Sequence, residues 1–390
     1  MNVTTGGRVP LKSWAEDLEA GAAEQAEHLT DLPFAFRHVA LMPDAHQGYG
    51  MPIGGVLATM GVVVPNAVGV DIGCGMRAGA TDVRVNNLRP GTVDNIMRRI
   101  TELVPTGFKH HATDQAGWED LLPDLVNSQD APVVNREYFA SLRQIGTLGG
   151  GNHFIEAQAD GEGALHFMLH SGSRNIGFKV AKHYNDLARE LNSRWHASVP
   201  REWDLAFLPL DSDEGKLYMR EMNVCLAFAK ENRARMWSAI RSVLADYSIA
   251  LDDGFDVHHN YAALENHYGK NVVVHCKGAV RARKGERVII PGSMGSRSYI
   301  GTGMGNPESF SSCSHGAGRA MGRKAAKRDI SAAQVLAEME AAGIALFKPD
   351  TADVAEECQQ AYKDIDDVMA AQVDLVAPTL TLRPVAVIKA

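Results

Sequence analysis

The chain has few cysteines and no long hydrophobic run. Five cysteines among 390 residues, an odd number, do not make a disulfide framework, so we expect a reducing, cytoplasmic environment. The most apolar window, residues 54–72, is interrupted by glycine, proline, asparagine and aspartate, which argues against a membrane span. No basic and then apolar signal peptide opens the sequence. These absences favour a cytoplasmic protein that does not enter a membrane.

An excess of positive charge is also missing. The net charge of −8 argues against a protein that simply coats nucleic acid, although a local basic site remains compatible with it. The 45% of hydrophobic residues is enough to bury a large core. Neither a repeat nor a low-complexity segment nor a linker divides the chain. We therefore expect a single domain that spans residues 1–390.

One short stretch, residues 69–75 (GVDIGCG), combines a carboxylate and a thiol. The apolar run 61–70 predicts a buried strand, with Asp71 and Cys74 at or just past its end. Such a turn can hold a divalent transition ion, because aspartate favours manganese and thiolate favours zinc or iron. The alternative is a buried structural cysteine beside a turn-forming aspartate.

Periodicity and capping signals place several regular elements. A capping-box spacing at Ser13 and Glu16 predicts a helix that runs to about residue 29. Apolar residues at three- and four-residue spacing predict one long helix, or a broken pair, over residues 211–247. The segment 380–389 is typical of a strand.

Elsewhere in the chain, before and after this stretch, side chains that can bind metals or transfer protons recur at predicted strand ends and near glycines. Together with the first two they are Asp44, Asp71, Cys74, His153, His170, His259 and His315. A single histidine is more often structural than a ligand. One thiolate, one carboxylate and three histidines, however, could hold two divalent ions with the thiolate bridging them. Two such ions suit phosphoryl chemistry, because they stabilise both the attacking and the leaving oxygen.

Loops rich in glycine and serine accompany these donors. They cover residues 146–151, 292–298 and 311–318, and their backbone N–H groups and hydroxyls can bind phosphates. Lysines and arginines follow residues 277 and 319. So many phosphate-binding segments favour a nucleotide together with the end of a polynucleotide over a small phosphate ester.

Eight motifs, in matching order, resemble the RtcB family of GTP-dependent RNA ligases. They are MPDAHQGYGMPIGG (42–55), GVDIGCG (69–75), GGGNHF (149–154), HSGSR (170–174), HHN (258–260), PGSMG (291–295), SCSHGAGR (312–319) and AYKD (361–364). The resemblance runs from about residue 30 to Lys389. It implies a mixed α/β fold, one large domain with central β-sheets, helices around them and the site on loops at strand ends.

The resemblance also implies a reaction. A histidine attacks GTP in the presence of two manganese ions, and the GMP passes to an RNA 3′-phosphate. A 5′-hydroxyl then displaces GMP, and 2′,3′-cyclic phosphate ends are opened first. The expected partners are GTP and RNA with these ends, in RNA repair or tRNA splicing, and for some relatives an archease-like activator. We expect a monomer.

Site roles follow from the same resemblance, residue by residue. His315 would be the nucleophile that takes GMP, and imidazole suits this role. Asp44 would assist the metal-bound chemistry. Cys74 would bridge the two manganese ions, with Asp71 and His153 completing one coordination sphere and His170 and His259 the other. The GTP pocket would contain Asn152, Phe154, Glu156, Ser293, Ser298, His315, Gly316, Ala317, Gly318, Tyr362 and Lys389.

Two points bear on this assignment. Cys276 stands where the family pattern has an arginine before Lys277 and Gly278, which we expect to remove a charge that binds the RNA end. Adjacent histidines on a strand face opposite ways, so His258 is expected to face away from the site that contains His259.

The sequence leaves two other functions open. One is a metal-dependent phosphodiesterase or cyclic-phosphate hydrolase that uses no GTP. His315 discriminates against it, because a hydrolase needs no histidine nucleophile. The other is a non-catalytic RNA-binding protein. The acidic net charge, the lack of interleaved aromatic residues and the many metal-type ligands speak against that reading.

Overall fold

Two β-sheets form the framework of the protein in a computed structural model that describes residues 1–118 and 131–390. The strands are β1 (Asn2–Thr4), β2 (Leu11–Ser13), β3 (Ala35–Tyr49), β4 (Met51–Thr59), β5 (Val62–Val63), β6 (Gly75–Arg84), β7 (Phe154–Ala159), β8 (Ala164–Ser171), β9 (Leu208–Pro209), β10 (Phe255–His258), β11 (Asn260–His267), β12 (Lys270–Lys277), β13 (Ala279–Arg281), β14 (Arg287–Ile290), β15 (Ser298–Gly303), β16 (Ser312–Ser314), β17 (Ala345–Phe347) and β18 (Val376–Ile388). The first sheet has the order β1-β2-β3-β4-β12-β11. The second has the order β10-β6-β8-β7-β18-β15-β14, and β17 pairs with β18.

Helices surround these sheets. They are α1 (Ala20–Thr30), α2 (Thr92–Leu103), α3 (Pro132–Ser141), α4 (Arg174–Arg194), α5 (Asp213–Ala245), α6 (Arg323–Asp329), α7 (Ala332–Ala341) and α8 (Ile365–Ala371). Among the described residues, no helix is both long and apolar enough to span a membrane. The predicted mixed α/β fold with helices around central sheets is confirmed.

The long helix α5 packs between the second sheet and the other helices. Its N-terminus is capped by Ser212, whose Oγ accepts a hydrogen bond from the Gly215 N–H, and Asp213 in the first turn suits the helix dipole. Met236 and Trp237 of α5 pack against the sheet in one apolar cluster, while its earlier turns pack with α3 and α4 in another. The predicted helix over residues 211–247 is therefore one continuous helix.

The predicted helix start at Ser13 was wrong. Ser13 ends β2, which pairs in parallel with β3, and its hydroxyl donates to the Ala15 carbonyl at 3.0 Å. The next residue, Trp14, is buried and donates from its indole to Asp374 Oδ1 at 2.9 Å. Sheet pairing and this distant contact outweigh the local capping signal, so α1 begins only at Ala20.

The predicted strand over residues 61–70 was also wrong for most of its length. Only Val62–Val63 pairs as a strand, and a 3₁₀ turn follows at Pro65–Ala67. Proline lacks the N–H that a strand ladder needs, so it ends the pairing although the segment stays buried. The turn after it is as expected, since the Cys74 N–H donates to the Asp71 carbonyl at 3.1 Å.

The C-terminal prediction is confirmed and extended. Residues 380–389 were expected to be strand-like, and β18 runs over Val376–Ile388. This strand lies between β7 and β15. Its central position places Lys389, the residue after the strand, beside the loops that carry the candidate site.

Candidate functional site

A cavity of 810 Å³ lies where loops from both sheets meet. This volume is within the range of small-molecule sites. Most of the predicted site residues line it: Asp71, Cys74, Asn152, Phe154, Glu156, His170, His259, Ser293, His315, Gly316, Ala317, Gly318, Tyr362 and Lys389. The three others, Asp44, His153 and Ser298, are buried directly behind lining residues.

The five predicted metal ligands form one group, which we call the donor cluster (Asp71, Cys74, His153, His170 and His259). Cys74 Sγ lies 3.4 Å from His153 Nε2 and 3.1 Å from His170 Nε2. Two sets of ligand atoms are compact enough to hold an ion, and Cys74 belongs to both. One set adds Asp71 and His153, and the other adds His170 and His259.

Each histidine of the donor cluster is oriented through its other ring nitrogen. His153 Nδ1 donates to the Leu148 carbonyl at 2.9 Å, and His170 Nδ1 to the Asn152 carbonyl at 3.4 Å. His259 Nδ1 lies 3.3 Å from Asn260 Oδ1. Because these oxygens accept, the Nε2 atoms of His170 and His259 face each other with their lone pairs available, while His153 Nε2 lies 3.1 Å from Asp71 Oδ2. This is the arrangement that supports metal ligation.

The charges of the donor cluster also suit cations. Burial raises the pKa of Asp71, but the hydrogen bond and charge of His153 outweigh it and lower that pKa to about 2. Burial and the nearby Asp71 raise the pKa of the Cys74 thiol well above its usual value. Burial lowers the pKa values of His170 and His259, so both are neutral, the form that binds metal. A bound cation would favour the Cys74 thiolate.

His258, the other member of the histidine pair, faces away as expected. Its ring packs edge-on against Tyr261 with centroids 4.6 Å apart, and it is outside both ligand sets. It lies at the end of β10, which pairs with β6, whereas His259 follows in the connection to β11. Burial lowers the pKa of His258 to about 4.

His315 lies next to the donor cluster and is held by Asp44. The ring centroids of His315 and His259 are 4.7 Å apart. His315 Nδ1 donates to Asp44 Oδ2 at 2.6 Å, and the backbone N–H groups of His315 and Gly316 donate to the same oxygen. Asp44 is fully buried. These contacts leave Nε2 as the ring nitrogen that can react.

Close packing around Asp44 sets the position of this pair. Gly318 has a φ of 74°, and a Cβ there would lie 2.1 Å from the Asp44 carbonyl oxygen, so only glycine fits. Lys363 Nζ donates to the carbonyls of Pro43 and Ala45, on either side of Asp44. Asp44 contacts His315 directly, whereas the resemblance implies a role for it in the metal-bound chemistry.

At another part of the cavity wall, Glu156 follows the glycine-rich loop on β7. Its Oε2 accepts from Gln158 Nε2 at 2.7 Å, and the same amide donates to Ser298 Oγ at 3.2 Å. Burial raises the pKa of Glu156 to about 7, although Gln158 and the charge of Lys389 act to lower it. Ser298 lies behind the cavity wall, where it also accepts from the Gly292 N–H at 3.3 Å.

Comparison with known proteins assigns the chain to a family. A family model described as "tRNA-splicing ligase RtcB" matches residues 25–390. The chain belongs to the RtcB family. The RNA-splicing ligase RtcB of Escherichia coli (strain K12) is 38% identical to this chain, and the match covers 99% of this chain and 98% of that protein.

Other relatives are similarly matched over most of their length. The RNA-splicing ligase RtcB of Mycobacterium tuberculosis (strain ATCC 25618 / H37Rv) is 33% identical over 89% of this chain and 95% of its own. The tRNA-splicing ligase RtcB of Thermococcus kodakarensis (strain ATCC BAA-918 / JCM 12380 / KOD1) is 32% identical over 93% of this chain and 90% of its own. Membership of the RtcB family therefore rests on nearly the whole chain.

Sequence reasoning missed Glu357, although it lines the cavity of this RtcB-family chain. Its carboxylate accepts from Lys389 Nζ at 2.8 Å, from Tyr362 Oη at 2.7 Å and from Arg319 Nη2 at 2.7 Å. Burial raises the pKa of Glu357, but Lys389 and Arg319 outweigh it and lower the pKa to about 2. We call these four residues the Glu357 network. The only signal in the sequence was an acidic loop, which is usually solvent-exposed.

Two residues of α5 that the sequence presented as ordinary helix positions also support the site. Asn232 bonds through its side chain to Gly146, Thr147, Ser171 and Gly172, joining the loops before His153 and after His170. Arg233 pairs with Asp256 at 2.6 and 2.7 Å and donates to the Gly73 and Ser171 carbonyls. Helical periodicity alone could not reveal these contacts.

Cys276 lies outside the cavity lining. It is fully buried in the apolar core, and its Sγ lies 3.8 Å from Ser312 Oγ. The next residue, Lys277, does line the cavity, and its Nζ donates to the Tyr49 and Asn66 carbonyls at 2.6 and 3.1 Å. Burial lowers the pKa of Lys277 to about 7. The effect of Cys276 on binding of RNA ends stays a prediction.

Proposed function

We propose that this chain is a GTP- and manganese-dependent RNA ligase that joins RNA 3′-phosphate or 2′,3′-cyclic phosphate ends to 5′-hydroxyl ends. One observation carries the proposal most directly. His315 is oriented by a buried carboxylate at 2.6 Å, and its ring lies 4.7 Å from that of His259 in the donor cluster. A metal-dependent hydrolase would need the donor cluster but no such histidine.

The position of Asp44 supports His315 as the nucleophile. Because Nδ1–H donates to the carboxylate, the lone pair of a neutral imidazole is on Nε2. Attack of Nε2 on the α-phosphorus of GTP forms an N–P bond and releases pyrophosphate. The positive charge that develops on the ring is stabilised by Asp44, in the way that a carboxylate stabilises a catalytic histidine.

Two further steps complete ligation. An oxygen of the RNA 3′-phosphate attacks the phosphorus on His315, which frees the histidine and leaves GMP joined to the RNA end through a pyrophosphate. The 5′-hydroxyl then attacks the RNA 3′-phosphorus, forms the phosphodiester and releases GMP. A 2′,3′-cyclic phosphate first takes up water and opens to a 3′-phosphate.

The donor cluster fits two divalent ions, since it offers one thiolate, one carboxylate and three imidazoles in two compact sets. Manganese ions bound there would neutralise phosphate oxygens and help to orient the attacking group. In the chain itself, Cys74 contributes to both sets, while Leu148 and Asn152 hold the imidazoles of His153 and His170 in place.

The remaining lining residues suit a guanine nucleotide. The Glu156 carboxylate can accept from the N–H groups on the Watson–Crick edge of guanine, and Lys389 can donate to its carbonyl oxygen. The backbone from Gly316 to Gly318 and the Ser293 hydroxyl lie in the same cavity and can bind phosphates. Arg319 has a buried Nη1 without a hydrogen-bond partner among the described residues, so it can donate to a phosphate as well.

The proposal extends to the setting of the reaction. We propose that the protein acts as a monomer in the cytoplasm, in tRNA splicing or RNA repair, and that an archease-like protein accelerates its turnover. The names of the relatives, RNA-splicing and tRNA-splicing ligase, support the RNA substrate. Ligation assays with and without an archease-like protein test the activator.

Intact-mass analysis after incubation with GTP and manganese tests the central step. We expect the native protein to gain the mass of one GMP, in an acid-labile linkage, and the His315→Ala variant to gain none. Absence of the adduct, together with metal-dependent opening of a 2′,3′-cyclic phosphate, would instead establish the hydrolase. Absence of both activities would overturn either enzymatic function.

A further inference from the structure

An aromatic side chain that the proposed reaction does not use lies at the cavity. Tyr49 lines the cavity, yet 76% of its surface is exposed. What distinguishes Tyr49 from other exposed aromatic residues such as Phe139 is its place in the cavity lining, where the ring is available for a ligand. In the part of the chain that the structure describes, no other ring packs against it.

The backbone that carries Tyr49 is held on several sides. Gln25 donates to the Gly48 carbonyl at 2.8 Å and accepts from the Gly48 N–H at 3.1 Å. Glu19 accepts from the Gln47 N–H. Gly50 has a φ of 67°, and a Cβ there would lie 2.5 Å from the Asp204 carbonyl oxygen. The ring is therefore presented from a fixed hairpin rather than from a free loop.

A buried lysine lies against the same hairpin, and a phosphate bound beside it would favour its protonated form. Lys277 Nζ donates to the Tyr49 carbonyl at 2.6 Å and to the Asn66 carbonyl at 3.1 Å, and it forms no ion pair among the described residues. A buried ammonium whose partners are neutral carbonyls can gain a third hydrogen bond and charge balance from a phosphate. An aromatic platform beside a cation is the usual means of binding single-stranded nucleic acid.

The donor cluster continues this end of the cavity. Val70 lines the cavity, is 49% exposed and directly precedes the metal-ligand candidate Asp71. The Glu357 network, which contains the guanine-binding candidate Lys389, forms another part of the lining, with residues from other loops. Tyr49 and Val70 thus form an apolar and aromatic surface that is separate from the Glu357 network and lies beside the groups that would bind the phosphate.

We propose that Tyr49 is a stacking platform for the terminal base of the RNA end that is joined, with Lys277 binding the phosphate of that nucleotide. This inference rests on the proposed ligase function and adds to it a subsite for an unpaired nucleobase. Stacking needs the aromatic ring but not the hydroxyl, and it tolerates any base because every base has a π-face. The site therefore predicts little preference for the identity of the terminal base.

Ligation kinetics of Tyr49→Ala and Tyr49→Phe test the platform. The assay uses the full chain with GTP, manganese and two short oligoribonucleotides, one with a 3′-phosphate and one with a 5′-hydroxyl. We expect Tyr49→Ala to raise the KM for RNA about tenfold, which is typical for loss of one base–aromatic stack. Tyr49→Phe should stay close to the native value. Phe139→Ala is the matched control, because Phe139 is 77% exposed but outside the cavity.

Abasic substrates show which end stacks. A strand that lacks its terminal base at the 3′-phosphate, or at the 5′-hydroxyl, should raise the KM for the native protein but add little to the defect of Tyr49→Ala. The strand that behaves in this way identifies the bound end. An unchanged KM in Tyr49→Ala, or an equal defect in Tyr49→Phe, would overturn the stacking role.

Measuring the GMP adduct distinguishes a failure of this inference from a failure of the proposed ligase function. If native protein and Tyr49→Ala both form the adduct but bind RNA equally well, the platform is wrong and the ligase stands. If native protein forms no adduct, the ligase function itself fails. Fluorescence anisotropy of a labelled 3′-phosphate oligoribonucleotide, with manganese but no GTP, would then still decide whether Tyr49 binds an RNA base.

Discussion

The donor cluster and the Glu357 network lie in one cavity but differ in how their charges are balanced. In the Glu357 network, a single buried carboxylate accepts from Lys389, Tyr362 and Arg319 at 2.7–2.8 Å, so cations of the chain itself balance its negative charge. In the donor cluster, by contrast, every member offers an electron pair, and the Nε2 atoms of His170 and His259 face each other at 3.0 Å.

This difference indicates two kinds of preparation for a ligand. In the Glu357 network the carboxylate already has its partners within the protein, so it is positioned before a nucleotide arrives, which lowers the entropic cost of binding. Among the described residues, neither a lysine nor an arginine is hydrogen-bonded to Cys74, so we expect bound cations to stabilise the donor cluster. Variants in the two regions should therefore fail in different ways.

The largest effect is expected from Cys74→Ala. Because Cys74 belongs to both ligand sets, its loss should remove both ions and reduce ligation by more than about a thousandfold. Metal content measured by mass spectrometry, together with the ligation rate, checks this. Cys225→Ala, a buried cysteine on α5 that belongs to neither set, is the control and should keep its metal. Retention of one full equivalent of metal by Cys74→Ala would show that the thiol is not shared.

Asp44→Asn should separate the nucleophile from the metals. The amide keeps the shape of the side chain but loses the charge that orients and stabilises His315, so GMP transfer should slow by about 10²–10⁴-fold. Time-resolved intact-mass analysis measures the rate. Metal content should stay at the native level, because Asp44 is outside both ligand sets. Loss of metal along with the adduct would place Asp44 in the donor cluster instead.

Glu357→Gln should weaken nucleotide binding and stability but not metal binding. It leaves Lys389 and Arg319 without their buried anion, so we expect the KM for GTP to rise about 10- to 100-fold with a smaller change in kcat. The free energy of unfolding at pH 7 should fall by about 3 kcal/mol. Glu340→Gln, on the exposed face of α7, is the control.

The pH dependence of unfolding gives a second test of Glu357. Its pKa is lowered from 4.5 to about 2 by Lys389 and Arg319 against the effect of burial. A lowered folded-state pKa stabilises the protein above the unfolded value, and this stabilisation is lost as the pH falls from 4.5 towards 2. Thermal unfolding of Glu357→Gln should lack this part of the acid sensitivity. Equal acid sensitivity in both proteins would contradict the ion-pair network.

The smallest effect concerns Glu156, whose pKa lies near neutral pH. Burial raises its pKa to about 7, so the carboxylate that would accept from guanine forms as the pH rises through 7. The KM for GTP should fall by up to about tenfold between pH 6 and pH 8. In the Glu156→Gln variant the triphosphate of GTP still titrates, but the part of the pH dependence of KM that comes from Glu156 should be lost. An identical pH profile in both proteins would remove Glu156 from base recognition.

Much of the donor cluster could be predicted because its members carry chemistry in their own side chains. Cys74, His153 and His170 each lie within two residues of a glycine at a strand end, a context that remains visible without any long-range information. The roles of these residues, and of the GTP-pocket residues, stay predictions until the experiments above are done.

The contacts that hold the site depend on distant parts of the chain. Asp44 meets His315 across 271 residues, and Asn232 reaches loops 60 to 86 residues away. Glu357 looked like part of an acidic loop until Lys389 and Arg319 were brought against it. Such pairings depend on tertiary packing, which local propensity and periodicity do not encode.

The sequence by itself determined which side chains could bind metals and phosphates, the long helix α5 and the terminal strand β18, because these depend on residue chemistry and local periodicity. Tertiary structure alone decided that Ser13 ends a strand, whereas the turn at Pro65 follows from a proline that the strand prediction gave too little weight. Tertiary structure also decided that one carboxylate orients His315 and another joins Lys389, Tyr362 and Arg319. The physical reason is that burial and hydrogen bonding between distant segments select one arrangement among those that the local sequence permits.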